Sequence, residues 1–301
     1  MSAAGILLVE KPAGPTSHDV VARARRSLGV RRVGHFGTLD PFATGLLVLG
    51  VSAATRLAPF ATSHGKTYRA EIRLGARSTT DDREGTIEPV PGAVPPDRAR
   101  VEAAAARWVG DVAQVPPAYS AKHVGGERAY ARARAGETVA LPAVAVRIDR
   151  IDVLVYEWPD LAIDVACGRG TYVRAIARDI GEELGTGGYC EALRRTRSGP
   201  FRVEEALGWD ELADPARARA ALLPAEAAVQ DLPAVRLDPQ RARAAGPGRA
   251  IPVEEDVAAA PRVRIVGPAG FVGLGEPREG PHGAVWVQPR TILFPAGEDA
   301  R

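Results

Sequence analysis

Two stretches of the chain hold the side chains best suited to act together. In Gly37-Thr38-Leu39-Asp40-Pro41 a carboxylate stands in a tight Gly/Pro loop, with His35 just ahead of it. In Cys167-Gly168-Arg169-Gly170-Thr171-Tyr172-Val173-Arg174 a glycine turn leads to an arginine at the opening of a helix. An arginine so placed can grip a carboxylate bidentately, and a carboxylate so gripped can serve as a nucleophile or a general base. Tyr172 adds a hydroxyl and a ring face, and Tyr68 puts a second aromatic ring at the head of a strand. Each has a plainer use. An Asp in a Gly/Pro loop commonly bonds its own backbone, an arginine after a turn commonly faces solvent, and an alternating strand commonly buries its tyrosine. Two considerations weigh toward chemistry: loops on a rigid scaffold are where reacting groups tend to sit, and this loop lies in the most basic third of the chain.

Other chemistries find no support. The five histidines and two cysteines (Cys167 and Cys190) show no pairing at metal-ligand spacing. No G-x-x-x-x-G-K-[ST], no G-x-G-x-x-G between strand and helix, and no G-x-S-x-G is present. Neither a nucleotide cofactor nor a serine triad is expected.

The elements that must position these groups can be read from patterning. Residues 5–9 and Gly45–Val51 are apolar runs that suit buried strands. Between them, Thr16 or Ser17 caps a helix whose Val20, Val21, Ala24 and Leu28 share a face, and Gly29 ends it. Residues 34–44 read as a loop. From Tyr68 to Gly75 apolar and charged residues alternate, as in a half-exposed strand. Asp97 caps an Ala-rich helix over about 97–109, which Gly110 closes. Strands are expected near 144–155 and 161–167, and a helix over about 171–184 carries the stripe Val173, Ile176, Ala177, Ile180, Leu184. Ala-rich helical sequence fills 204–228. Beyond Leu232 short strand-like pieces take over, near 262–266, 270–274 and 284–287, so a boundary is placed near 229–234.

The 301 residues are 46% apolar and 25% charged, the balance of an ordinary globular chain. The longest apolar run falls far short of the roughly 18 residues of a membrane span, and no secretory signal is visible. With two cysteines, this leads us to expect a protein of the reducing cytoplasm. The formal charge of +2 hides an asymmetry: residues 1–80 hold eleven Lys/Arg against four Asp/Glu. Such a block is the footprint of a surface that meets phosphates, or simply a solvated arginine-rich face. A basic, aromatic-laced excursion spans about residues 116–136.

Five blocks in order, GILLVEKPAGPTSHDVV, VGHFGTLDPFATGLLVLGVSAATRL, KTYRAEIRLGARSTTDDREG, PPAYSAKHVGGERAYARARAG and CGRGTYVRAIARDIGEELG, resemble the bacterial TruB family of tRNA pseudouridine synthases. The likeness covers roughly residues 5–210, and the tail is similar to that family's small PUA-like domain. The resemblance implies an α+β fold: a mixed, largely antiparallel sheet flanked by helices over residues 1–230, and a β-rich domain over 231–301. It implies isomerisation of uridine 55 in the T arm of tRNA, by a monomer needing neither guide RNA, metal nor organic cofactor. Residue by residue, Asp40 matches the catalytic aspartate, and His35 the histidine that contacts the target nucleotide. Tyr68 matches the tyrosine stacked on the base, Tyr172 and Arg174 the Tyr-x-Arg pair whose arginine bridges the carboxylate, and Leu193 an apolar wall. Asp82 matches an acid of the arginine network, and Lys11 the supporting lysine of Lys11-Pro12. Phe36 stands where a small hydroxyl residue is common, and Thr79 where some relatives carry an acid. Two further readings are a tRNA-folding factor whose main contribution is not catalytic and a guide-RNA-dependent synthase; the order of the blocks and the lack of a long basic tail disfavour the latter.

Overall fold

The computed structural model describes residues 4–119, 123–124, 127–128, 141–245 and 248–294. Continuous apolar runs suit strands whose two faces are both covered, and Gly5–Lys11 (β1) and Thr44–Val51 (β3) are such strands. On one face Leu7, Val9, Leu47 and Leu49 join the main core; on the other Ile6, Leu8, Leu46 and Val48 join a second cluster. Val33–His35 (β2), Lys66–Leu74 (β4), Gly110–Gln114 (β5), Val144–Glu157 (β6), Asp160–Cys167 (β7), Gly188–Ser198 (β8), Phe201–Arg202 (β9) and Leu207–Gly208 (β10) complete a ten-stranded sheet. Its order is β10–β1–β3–β8–β4–β7–β6–β5, with β2 beside β3 and β9 beside β8. All pairs are antiparallel except β1 with β10 and β3 with β8.

Helices α1 (Ser17–Leu28), α2 (Arg98–Ala106) and α3 (Val173–Leu184) pack on the main-core face. Thr16 and Asp19 cap α1 reciprocally: Asp19 N–H donates to Thr16 Oγ1 (3.1 Å) and Thr16 N–H to Asp19 Oδ2 (2.8 Å). Such a cap is worth about 1 kcal/mol, and Gly29 closes the helix in the left-handed region at φ 68°.

A second, five-stranded sheet follows: Ala234–Arg236 (β11), Ile251–Pro252 (β12), Val263–Gly267 (β13), Gly270–Glu279 (β14) and Val285–Ile292 (β15), in the order β11–β13–β14–β15–β12. It has its own core around Val235, Val263, Ile265 and Val287. Phe271, Leu274 and Leu293 instead join the cluster behind β1 and β3, and burying each contributes about 1.5–3 kcal/mol. We propose the domain boundary at residues 229–234, between the last strand of the first sheet and the first of the second.

Several elements differ from expectation. The supposed loop at 34–44 begins with β2, a short strand whose Val33 pairs with Val51. The helix expected to run to 109 stops at Ala106, and Gly110 opens a strand rather than closing a helix. The expected helix over 204–228 is a series of single turns around one short helix, Pro215–Ala220. Gly208, Pro215 and Pro224 interrupt it, and Asp214 caps only those six residues. The central strand β8 was not foreseen. Most of the basic excursion near 116–136, including Lys122, Arg132 and Arg134, lies outside the described residues. Among the described residues no helix is long and apolar enough to cross a membrane.

Candidate active site

Asp40 sits in the connection between β2 and β3, and three buried side chains fix that loop by its backbone. Lys11, fully buried at the end of β1, donates from Nζ to the carbonyls of Pro12 (2.8 Å), Pro41 (3.0 Å) and Ala43 (2.7 Å). Ser17, in the first turn of α1, accepts from Leu39 N–H (2.8 Å) and donates to Leu39 O (2.9 Å). Arg195, 1% exposed on β8, donates to Leu46 O (2.7 Å), Thr38 O (3.3 Å) and Gly37 O (3.0 Å). Burial lowers the Lys11 pKa to about 8, although the Asp40 charge works in the opposite direction. Gly45 makes the parallel β3–β8 contact possible: its φ is +97°, and a Cβ there would lie 2.3 Å from Arg195 O.

The Asp40 carboxylate faces Arg174. Arg174 Nε lies 3.0 Å from Asp40 Oδ2, and Arg174 Nη1 lies 2.9 Å from Asp82 Oδ2. The same guanidinium donates to Thr80 O and Tyr119 O, each at 3.0 Å. Arg174 and Asp82 are almost wholly buried, with side chains 5% and 4% exposed, whereas Asp40 keeps 37% of its side chain open. Asp82 is satisfied at both oxygens, since Oδ1 accepts from Thr80 Oγ1 (2.6 Å) and Glu84 N–H (3.0 Å). It lies in a tight turn between Ala76–Ser78 and Ile87–Pro89, a hairpin tied to α3 by Arg178–Asp81 (2.8 Å) and Arg77–Glu182 (2.6 Å). Thr79 serves that turn as well, accepting from Thr86 N–H at 3.0 Å. The protein packed around Asp40 raises its pKa; Arg174 opposes the rise and Asp82 adds to it.

Asp40, Arg174, Tyr68, Tyr172 and Leu193 line one cavity of about 330 Å³, near the small end of the roughly 300–1,000 Å³ usual for small-molecule sites. Tyr68 and Leu193 bury their side chains in its wall, at 8% and 7% exposure. Adjacent positions on β4 and β8 put them there: Leu193 pairs with Ala70, and Arg195 with Tyr68. Asp82 and Lys11 stand behind the cavity, holding Arg174 and the loop. His35 does not line it; it pairs with Leu49 at the end of β2, and among the described residues its buried Nδ1 has no hydrogen-bond partner. Phe36 fills the space that Gly50 leaves, since a Cβ on Gly50 would come within 2.5 Å of its ring.

Three site residues were not anticipated. Arg195 clamps the loop, and its Cζ lies 6.0 Å from the centre of the Tyr68 ring. Its only outward signal was its place two residues after Leu193. Lys66 lines the cavity with its ammonium on Thr62 O (3.3 Å) and His64 O (2.9 Å), and the scarcity of lysine in the chain was its one clue. Gln114, fully buried, brackets the backbone of Tyr172: it accepts from Tyr172 N–H (2.8 Å) and donates to Tyr172 O (3.1 Å). Nothing local in the sequence marks it.

Among the described residues, the cations Lys66, Arg169, Arg174 and Arg195 line the cavity with one carboxylate, Asp40, and an aromatic and an aliphatic side chain, Tyr68 and Leu193. Among the described residues no group of three or more His, Cys, Asp or Glu side chains gathers as a metal site. A cationic slot that offers ring contact and one carboxylate held by an arginine has the chemistry to hold an anionic unit with a flat ring. The family model for the N-terminal domain of TruB family pseudouridylate synthases matches residues 25–173, and that for the tRNA pseudouridylate synthase B C-terminal domain matches 174–230. The tRNA pseudouridine synthase B of Nocardia farcinica is 52% identical over 217 residues, 71% of each chain. That of Mycobacterium avium is 48% identical over 255 residues, 83% of this chain and 82% of the other. A chain from the crystal structure of a Cbf5–Nop10–Gar1 complex superposes with a TM-score of 0.74 at 26% identity, covering 97% of this chain and 85% of that one. The chain belongs to the TruB family of pseudouridylate synthases, and its α+β architecture with a β-rich C-terminal sheet is the fold of that family.

Proposed function

We propose that this protein isomerises uridine to pseudouridine in tRNA, at position 55 of the T arm, with Asp40 as the catalytic carboxylate. The observation that carries this is the Arg174–Asp40 contact at the floor of a cavity walled by Tyr68, Tyr172 and Leu193. The tRNA pseudouridine synthase B relatives at about half identity direct it to tRNA. The reaction breaks N1–C1′, turns the base, joins C5 to C1′ and moves the C5 proton to N1 through solvent, with no change of oxidation state. Asp40 acts next to the sugar and base, as a nucleophile at C1′, a nucleophile at the base, or a general base. Arg174 aims it and favours its ionised form against the burial that disfavours it.

The target base has to leave its helical stack, at a cost of a few kcal/mol. Stacking on an aromatic ring returns about 1–3 kcal/mol per base; Tyr68 is assigned that task, with Leu193 beside it as an apolar wall. His35, which is not among the described residues lining the slot, keeps the role the resemblance implies, contact with the target nucleotide. The protein is taken to act as a monomer in the cytoplasm on tRNA alone, with neither guide RNA, metal nor organic cofactor. The test is incubation with a tRNA transcript and site-resolved detection of pseudouridine. Asp40→Asn is expected to abolish product while leaving tRNA binding in place. Product at an undiminished rate from that variant would remove Asp40 from its role, and binding without product from the native protein would favour a folding factor.

A further inference from the structure

At the end of β3 away from Asp40, a second hollow of about 620 Å³ opens between the two sheets. Arg31, Arg32 and Arg56 line it, with Leu293 at its base. Among the described residues no carboxylate lines it, and none pairs with these three arginines. Other arginines of the chain do have carboxylate partners, as in Arg69–Asp164 (3.0 Å), Arg194–Glu10 (2.6 Å) and Arg264–Glu226 (2.6 Å). Three guanidinium groups around one hollow repel one another unless an anion joins them.

The hollow is also held in shape. Arg31 and Arg32 lead into β2, and Ser52 follows β3, so the Val33–Val51 pairing brings the two segments side by side. Ser52 N–H donates to Arg32 O (2.8 Å), and Arg25 Nη2 donates to Val33 O (2.9 Å). Arg56 lies in the short 3₁₀ helix Ser52–Leu57 and donates to Ile292 O (2.7 Å), which fastens it to the second sheet.

We propose that this hollow binds the phosphodiester backbone of the substrate RNA at a place remote from the target nucleotide. The inference rests on the reading of the substrate as tRNA. β3 runs eight residues from Thr44 beside the Asp40 loop to Val51 beside the hollow, which at about 3.3 Å per residue is roughly 25 Å. The RNA that fills the cavity therefore has to extend well beyond the modified loop to reach the arginines. The hollow thus measures the length of the substrate: a whole tRNA can engage it, whereas an isolated T-arm hairpin is too short to use it fully.

The experiment compares the native protein with the triple variant Arg31→Gln, Arg32→Gln, Arg56→Gln on whole tRNA and on a T-arm hairpin, measuring binding from 50 to 200 mM salt and pseudouridine formation. Each phosphate contact contributes about 0.7–0.9 to the slope of log affinity against log salt, so three contacts contribute roughly 2–3. Whole-tRNA binding by the variant is expected to show a slope shallower by that amount, and its deficit to narrow about 20–40-fold over the fourfold salt range. Hairpin binding and hairpin modification are expected to stay at native levels. The double variant Arg31→Gln, Arg32→Gln keeps the Arg56–Ile292 bond and should show about two thirds of the slope change. Equal losses on hairpin and whole tRNA, or an unchanged slope on whole tRNA, overturn the proposal, as does full displacement of the effect by millimolar inorganic phosphate. Failure of the functional reading looks different: the native protein would then make no pseudouridine in either RNA.

Discussion

Replacing Arg174 by lysine keeps a positive charge beneath the cavity but removes the fork that serves two carboxylates at once. The guanidinium reaches Asp40 through Nε and Asp82 through Nη1, and two backbone carbonyls through Nη1 and Nη2. A lysine ammonium is a single point with three donors and cannot occupy both carboxylate sites. Its choice follows from burial. Asp82 is 4% exposed and would be left as an unpaired interior charge, whereas Asp40 can turn to the water of the cavity. The ammonium therefore goes to Asp82, and Asp40 is released. Loss of the charge-assisted bond costs about 1.5–3 kcal/mol of stability, no more than the low end of the 3–5 kcal/mol of a broken buried pair, so Arg174→Lys should fold. A misaimed catalytic group costs on the order of 100-fold in rate. Arg174 is also the charge that opposes the raised pKa of Asp40, so its withdrawal moves the acid limb of the rate profile to higher pH. Single-turnover pseudouridine formation across pH, together with urea unfolding, reads all three quantities. A variant with native turnover and an unmoved acid limb would refute the aiming role of Arg174.

Lys11 should set an alkaline limb near pH 8: once neutral it has two N–H donors for three carbonyls, and its hold on Pro41 and Ala43 loosens. A rate profile that stays flat well above pH 8 would count against this. Because the folded-state pKa is depressed from 10.5 to about 8, the unfolded chain binds the extra proton between those values. Stability from this group alone therefore rises with pH across that window while activity falls, a divergence that denaturation and rate measurements can separate. Gly45→Ala meets both a left-handed backbone and Arg195 O at 2.3 Å, whereas Gly14→Ala, at φ +103°, meets nothing within 4 Å. Gly14→Ala should lose only the roughly 1–2 kcal/mol of backbone strain, and Gly45→Ala about 4 kcal/mol or more, with loss of activity. Equal destabilisation in urea would mean that the close β3–β8 approach is unimportant.

Elements that announce themselves by local pattern were legible before the fold was known. The capped helix after Thr16, the two apolar strands, the alternation from Tyr68 to Leu74 and the stripe of α3 all depend on side chains a few residues apart. The strand β8 was not, because Gly188–Ser198 carries Arg194, Arg195 and Arg197 and shows no clean alternation. One of those arginines, Arg195, is buried with its N–H groups donating to carbonyls of the Asp40 loop and of β3. The broken helices of 204–228 erred the other way, with alanine content outweighing the Gly and Pro punctuation.

By itself the sequence determined the family, the kinds of side chain at the site and the order in which the elements occur, since these are properties of residue type and spacing. The tertiary structure alone decided which of those side chains act on one another. Only the fold brings Asp40, Asp82 and Arg174 to one guanidinium, turns Arg195 from an apparent surface charge into a clamp, and sets His35 outside the slot. It also gathers Arg31, Arg32 and Arg56 around one hollow with no counter-charge among the described residues. The physical reason is that burial and ion pairing depend on distances between strands far apart in the chain, and composition holds no record of those distances.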